Sequence, residues 1–230
     1  MPVILPEMSK MKSTSNNMRA SHILGPKEFS TEFGVSCEVV EKLELYASLL
    51  KTWQKAVKLV APSTLDDIWH RHFADSAQLL ARSVTVNSWV DLGSGGGFPG
   101  LVIAIMLPNQ ENHTVRLIES NGRKCAFLHE VARQTSTAVA IHEGRIEEFA
   151  QGGQIGTVDA VTSRALAPLS RLLEFSRGFF AEDTVGLFLK GRDAEREIVV
   201  ARQKWRFEYT NIGSRTSSEG RIIEVKHLTS

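Results

Sequence analysis

The stretch Asp91-Leu92-Gly93-Ser94-Gly95-Gly96-Gly97-Phe98-Pro99-Gly100 limits the possible folds more than any other part of the chain. Ahead of it, Val86 to Val90 form an apolar run of strand length. Behind it, Leu101, Val102, Ile105 and Met106 recur at helical spacing, with Pro99 in the first turn. Strand, tight loop and helix in that order open a βαβ unit, and hence a parallel sheet. Glycine at this density weakens a fold through lost backbone entropy unless the backbone must take positive φ or come very close to a ligand. The start of the following helix adds unpaired amides. A polar ligand is therefore expected at this edge.

The alternation continues downstream. Strands are expected at 86–91, 115–119, 139–142, 158–163 and 185–190, with helical patterns between them and a charged helix after Gly191. A late pair of strands, 206–212 and 221–227, has no helix between its members, so an antiparallel hairpin at the sheet edge is expected, closed by a long loop from Gly213-Ser214 to Glu219-Gly220. The predicted fold is α/β, with about seven strands and helices on both faces.

Upstream, Val39, Leu43, Tyr46, Leu50, Trp53 and Val57 make one face of an amphipathic helix. A second helix is expected from Ser63 or Thr64, with Asp66 or Asp67 as capping-box acid, carrying Ile68, Trp69, Phe73, Ala77 and Leu80. The polar run Ser13-Thr14-Ser15-Asn16-Asn17 marks a flexible tail. The expected organisation is thus a tail at 1–34, a helical cap at 35–84 and a sheet domain at 85–230, the last two forming one compact unit. A chain of 230 residues, 42% hydrophobic, suits one globular core with such an addition. No apolar run approaches the roughly 20 residues of a membrane span, and Val3-Ile4-Leu5, broken by Pro6, is no secretory segment. A cytoplasmic location is expected. Cys37 and Cys125 lack metal-type spacing and read as reduced thiols. At a net charge of +1, any nucleic-acid partner must be held by locally gathered basic residues.

Two cofactor patterns overlap in the glycine loop. Gly95, Gly97 and Gly100 satisfy G-x-G-x-x-G, the dinucleotide fingerprint. Asp91-x-Gly93-x-Gly95-x-Gly97 instead ends the strand on a carboxylate, which suits the cationic methionine moiety of S-adenosylmethionine and would repel a pyrophosphate. Glu119, ending the second strand, can accept hydrogen bonds from both hydroxyls of a ribose, which either cofactor carries.

The run from Val90 to Gly100, Glu119-Ser120-Asn121-Gly122-Arg123-Lys124-Cys125-Ala126-Phe127-Leu128, Ser163-Arg164-Ala165 and Leu189-Lys190-Gly191 resemble the bacterial small-subunit ribosomal RNA guanine-N7 methyltransferases, also called glucose-inhibited division protein B. The resemblance extends to Trp53, Arg71-His72 and Asp75-Ser76, and so covers about 36–228. It implies a class I, Rossmann-like S-adenosylmethionine methyltransferase with an N-terminal helical extension. The implied target is a guanine in the 530 loop of 16S ribosomal RNA. It also implies cofactor contacts at Gly93, Phe98, Ile146, Glu147 and Arg164. The N-terminal tail has no counterpart in that family.

The residues after the fourth strand, Thr162-Ser163-Arg164-Ala165-Leu166-Ala167-Pro168, bear on the acceptor. They hold no Asn/Asp-Pro-Pro-aromatic turn to take protons from an adenine amine and no thiol to attack cytosine carbon-5. Guanine N7 carries its own lone pair and needs positioning rather than a base. Arg164 and Lys190 are candidate positioning groups, aimed at guanine O6, a phosphate or the cofactor carboxylate. Arg123 and Lys124 at the next helix start, with Arg145 and Arg192, extend a possible basic rim for RNA phosphates. Glu147 could equally be a first-turn helix acid. His70 and His72 point to different sides of a helix, so no metal site is expected. His72, Asp75 and Ser76 share a face and are read as a structural network joining cap to sheet. Trp53 and Trp69 are read as core anchors. The partner is then 16S RNA or the small subunit, and the protein a monomer. The competing readings are methylation of another RNA or small molecule, and a non-catalytic nucleotide-binding or NAD(P)-dependent module.

Overall fold

The computed structural model describes residues 22–82, 86–107, 113–151 and 153–229. The chain enters through α1 (Pro26–Phe33) and α2 (Cys37–Trp53). α1 has Pro26 in its first turn, and left-handed Gly34 (φ 63°) closes it by donating its amide to the Ser30 carbonyl. Its Phe29 is fully buried, with ring centroids 4.7 Å from Phe33 and 5.5 Å from Trp69. Burying one such ring stabilises by about 1.5–3 kcal/mol. Residues 22–34 are therefore folded, contrary to the expected tail; 1–21 lie outside the described residues. α2 is N-capped by Ser36, whose hydroxyl accepts from Val39 N, and it buries Leu43, Tyr46, Ala47 and Leu50.

The second cap helix differs from its expectation. A 3-10 turn at Pro62–Thr64 stops at once; a wide π turn then spans Trp69–Ala74 and runs into α3 (Asp75–Ala77), with another 3-10 turn at Leu80–Arg82. The capping box fails because the Thr64 hydroxyl is already engaged, donating to Ala61 O at 2.7 Å and meeting His72 Nε2 at 2.7 Å. The π turn buries His70, His72 and Phe73 together, which an α-helix starting at Thr64 would have spread around its axis.

All seven expected strands form, their ends moved by two residues at most. They are β1 (Ser88–Leu92), β2 (Thr114–Glu119), β3 (Ala140–Glu143), β4 (Ala160–Arg164), β5 (Val185–Lys190), β6 (Arg206–Gly213) and β7 (Arg221–Thr229), in the order β3-β2-β1-β4-β5-β7-β6. The first five are mutually parallel. β7 lies antiparallel between β5 and β6, so the expected hairpin closes one edge with its second strand inward. This departs from the all-parallel 3-2-1-4-5-6 sheet of dinucleotide-binding folds. The crossover helices are α4 (Gly100–Met106), α5 (Gly122–Gln134), α6 (Ile146–Gln151), α7 (Leu169–Ser176) and, after β5, α8 (Ala194–Ala201).

Alternate strand residues serve opposite cores. Trp89, Leu187 and Ile222 face α4, α5 and the cap, while Val90, Phe188 and Ile223 face α6, α7 and α8. The first of these cores runs unbroken from Ile23 through Tyr46 and Phe73 to Leu128 and Ile222, so cap and sheet share one interior. Trp53 packs on Phe127 at 5.7 Å and Trp69 edge-on to Phe73 at 5.0 Å, both within it.

Candidate active site

The strand order reverses between β1 and β4, and a cavity of about 960 Å³ opens at their carboxyl ends, where such sheets bind ligands. Gly93, Ser94, Gly95, Gly96 and Phe98 form one wall; Arg164 to Pro168, the start of α8 and the β6–β7 loop form the other; the cap segment Lys58 to Ala61 crosses the top. Gly93 (φ 66°) and Gly97 (φ 91°) need the left-handed region. A Cβ on Gly96 would stand 3.3 Å from Leu59 O, so the cap segment rests directly on the loop.

The loop is held from three directions. Ser94 N donates to Ile118 O at 3.1 Å, Gly97 N to Ser94 O at 2.7 Å, and Gly95 N to Glu119 Oε2 at 2.9 Å. From the cap, Tyr46 donates its hydroxyl to Gly96 O and stacks on Phe98 at 5.3 Å with an 11° tilt. The second Glu119 oxygen accepts from Asn121 N at 2.8 Å. Each carboxylate oxygen keeps a further lone pair, so Glu119 can still accept from a ribose. The open cradle over small residues, with an acid at the end of β2, fits an adenosine-type cofactor.

Asp91, one residue before the end of β1, is not on the cavity wall. It is buried beneath α4, accepts from Thr162 Oγ1 at 2.8 Å, and leaves Oδ2 without a partner. Burial raises its pKa to about 6, against the Thr162 hydrogen bond and the charge of Arg164, which lower it. The carboxylate that singled out a methyl donor in the sequence thus underlies the loop instead of facing the cavity.

At the end of β4, Arg164 turns toward the cap, and left-handed Ala165 (φ 53°) redirects the chain after it. One guanidinium nitrogen donates to Arg71 O at 3.0 Å, the other to His72 Nδ1 at 2.8 Å, and Asp75 Oδ2 lies 3.6 Å away. Its guanidinium also stands 4.8 Å over the Phe98 ring. Because arginine can only donate, His72 Nδ1 accepts; Nε2 then carries the proton and donates to Thr64. Burial first, then the charges of Arg164 and Arg71, lower the His72 pKa to about 3. Asp75 Oδ1 accepts from Thr216 at 2.7 Å and Gln78 at 2.9 Å, binding the β6–β7 loop to the same network. His72 and Asp75 therefore do join cap to sheet, whereas Ser76 bonds back to His72 O within its own turn.

The remaining candidates separate. Lys190 lines the cavity but is nearly buried, giving its ammonium to Glu197 and to Ala167 O, each at 2.6 Å. It ties β5 to the wall rather than reaching outward. Arg123 is exposed and off the cavity lining, while its neighbour Lys124 is on it. Arg192 pairs with Glu219 at 3.1 Å. Ile146 packs into the core behind β3, and Glu147 pairs with Arg171 at 3.4 Å, both away from this cavity. Cys125 is buried, its thiol raised to about 11 chiefly by burial, and no His/Cys/Asp/Glu cluster among the described residues could hold a metal. Sequence reasoning missed Tyr46, Thr64, Lys58 and Thr216. Tyr46 stood in the apolar stripe of α2, and only its hydroxyl distinguished it from a plain core residue.

The family model described as rRNA small subunit methyltransferase G matches residues 39–223, cap and sheet together. A ribosomal RNA small subunit methyltransferase G of Parvibaculum lavamentivorans is 43% identical over 90% of this chain and 91% of its own length. That of Methylorubrum populi is 46% identical over 86% and 93%. Among solved structures, an O-methyltransferase from Bacillus cereus in complex with SAH superposes with a TM-score of 0.55 at 13% identity, covering 83% of this chain and 91% of that one. A putative O-methyltransferase from Klebsiella pneumoniae gives 0.54 at 12% identity, covering 83% and 90%. These two establish likeness of fold.

Proposed function

Since the chain belongs to the rRNA small subunit methyltransferase G family, we propose that it methylates N7 of a guanine in the 530 loop of 16S ribosomal RNA, with S-adenosylmethionine as donor. Membership makes it an S-adenosylmethionine-dependent rRNA methyltransferase. The observation that carries the reading is a family match that spans both halves of the site, the cap from residue 39 and the sheet to residue 223. The finer choice of N7 draws support from chemistry. The residues that follow β4 hold neither the Asn/Asp-Pro-Pro-aromatic turn that serves an adenine amine nor a thiol, and a ring nitrogen with a free lone pair needs neither.

S-adenosylmethionine, when bound, supplies a sulfonium methyl as the electrophile. The chain's part is then to bind and orient. The glycine loop, with Gly93 and Gly95, cradles the donor, and Glu119 takes its ribose. Phe98 gives an apolar wall, while Ile146 and Glu147, off this cavity, stay outside the contact. Arg164 keeps a fixed positive charge beside the reacting atoms, and Lys124 with the exposed Lys58 and Arg71 of the cap meets RNA phosphates. Arg123 stays outside this contact, and Lys190 acts by holding the wall. The enzyme acts as a monomer in the cytoplasm; no helix among the described residues is long and apolar enough to cross a membrane. The test is to incubate the protein with 30S particles from a strain lacking this modification and with labelled donor, then to cleave with borohydride and aniline. A new break in the 530 loop is expected; methyl transfer with no break there contradicts the N7 assignment.

A further inference from the structure

The cap helix α2 contributes a fully buried phenol to the cofactor loop. The Tyr46 hydroxyl donates to Gly96 O, its ring stacks on Phe98, and a Cβ on Gly97 would run into that hydroxyl. Three consecutive loop residues thus take their positions from one side chain far upstream. The ring cannot swing away, since Phe73 and Phe127 hold it at 5.4 and 6.1 Å. Burial raises the Tyr46 pKa well above its ordinary value, so the phenol stays a donor.

The consequence for the loop is specific. The peptide joining Gly96 to Gly97 is fixed at both ends, its carbonyl by Tyr46 and its amide by Ser94 O. The amides of Gly95, Gly97 and Phe98 are spent on Glu119 and Ser94. Gly96 lines the cavity, and its own amide has no acceptor among the described residues. We propose that Tyr46 is a positioning residue for the donor: by pinning the Gly96 carbonyl it presents the Gly96 amide, an unspent donor of the loop, to the bound cofactor. This rests on the methyltransferase reading above. It makes the cap part of the cofactor site.

The test is Tyr46→Phe, which keeps the ring stack and removes the hydroxyl. Without its partner the Gly96 carbonyl is left buried and the loop relaxes, so the Kd for S-adenosylhomocysteine and the KM for S-adenosylmethionine should both rise about tenfold, with kcat at saturating donor within about twofold of wild type. An unchanged Kd with a lower Tm would assign the hydroxyl to folding alone and overturn the proposal. A second measurement leaves the residue in place. The chain has two tyrosines, Tyr46 buried and Tyr209 exposed. In protein labelled with 3-fluorotyrosine, S-adenosylhomocysteine should shift the 19F resonance of Tyr46 and leave that of Tyr209. A saturated complex with neither resonance shifted overturns the inference, and wild type that fails to bind S-adenosylhomocysteine at all removes the reading beneath it.

Discussion

The ends of β1 and β4 lie side by side at the switch point, yet the cap holds them by different physics. The β1 end is a glycine loop fixed by one neutral phenol, the Glu119 carboxylate, backbone amides and stacked rings. The β4 end is a cation, Arg164, shared among a histidine, a carboxylate and a carbonyl. The first arrangement holds no cation at its centre. The second has a partly buried charge at its centre, so that removing one member strands the others. Apolar contact shapes the donor side, and the charged network holds the wall opposite.

The largest break in this contrast is Arg164→Ala. Asp75 and the His72 ring lose their shared partner, and unfolding free energy in urea should fall by about 3 kcal/mol, more than the loss on Tyr46→Phe, about 1–2 kcal/mol. Equal losses would remove the distinction between the two ends. Next is Asp75→Ala, which frees Thr216 and Gln78 as well as Arg164. A loss of about 2 kcal/mol is expected, with faster hydrogen exchange in the β6–β7 loop; unchanged exchange there would deny the link.

The pH dependence sharpens the comparison because its two main groups act in opposite directions. His72 titrates at about 3 when folded and at its ordinary 6.5 when unfolded, so it costs stability as pH falls below 6.5. Asp91 titrates at about 6 when folded against 3.8 unfolded; its stabilising contribution is full below 3.8 and is lost as pH rises to 6. Thermal melts of His72→Gln should therefore show a weaker fall in Tm from pH 6.5 to 4.5 than wild type. Asp91→Asn should raise Tm more at pH 7.5 than at pH 4.5. The smallest effect is expected at Arg123→Gln, exposed and off the cavity, with stability within about 0.5 kcal/mol and the Kd for S-adenosylhomocysteine unchanged.

The two ends also differ in how far the sequence disclosed them. The glycine loop is local: period-2 and period-3.6 patterns meet at one turn, and the strands and crossover helices follow from the same periodicities. The β4 end is built from three distant segments, and nothing adjacent to Arg164 in sequence announces that the π turn and the β6–β7 loop will engage it. For the same reason Lys190 read as a free cation: its partner Glu197 lies on α8, beyond the turn that brings them together. Asp91 was legible as an acid at the strand end but not as one facing α4, since strand alternation fixes its face only once the cap side is known. α1 went unseen because its start and stop signals, Pro26 and Gly34, flank too few apolar residues to show a helical period.

The central claim is that the cleft between β1 and β4 binds S-adenosylmethionine. Calorimetric titration of the full chain tests it directly: S-adenosylhomocysteine should bind with one-to-one stoichiometry and NAD(P) should give no heat of binding. Saturable binding of NAD(P) without S-adenosylhomocysteine would contradict it.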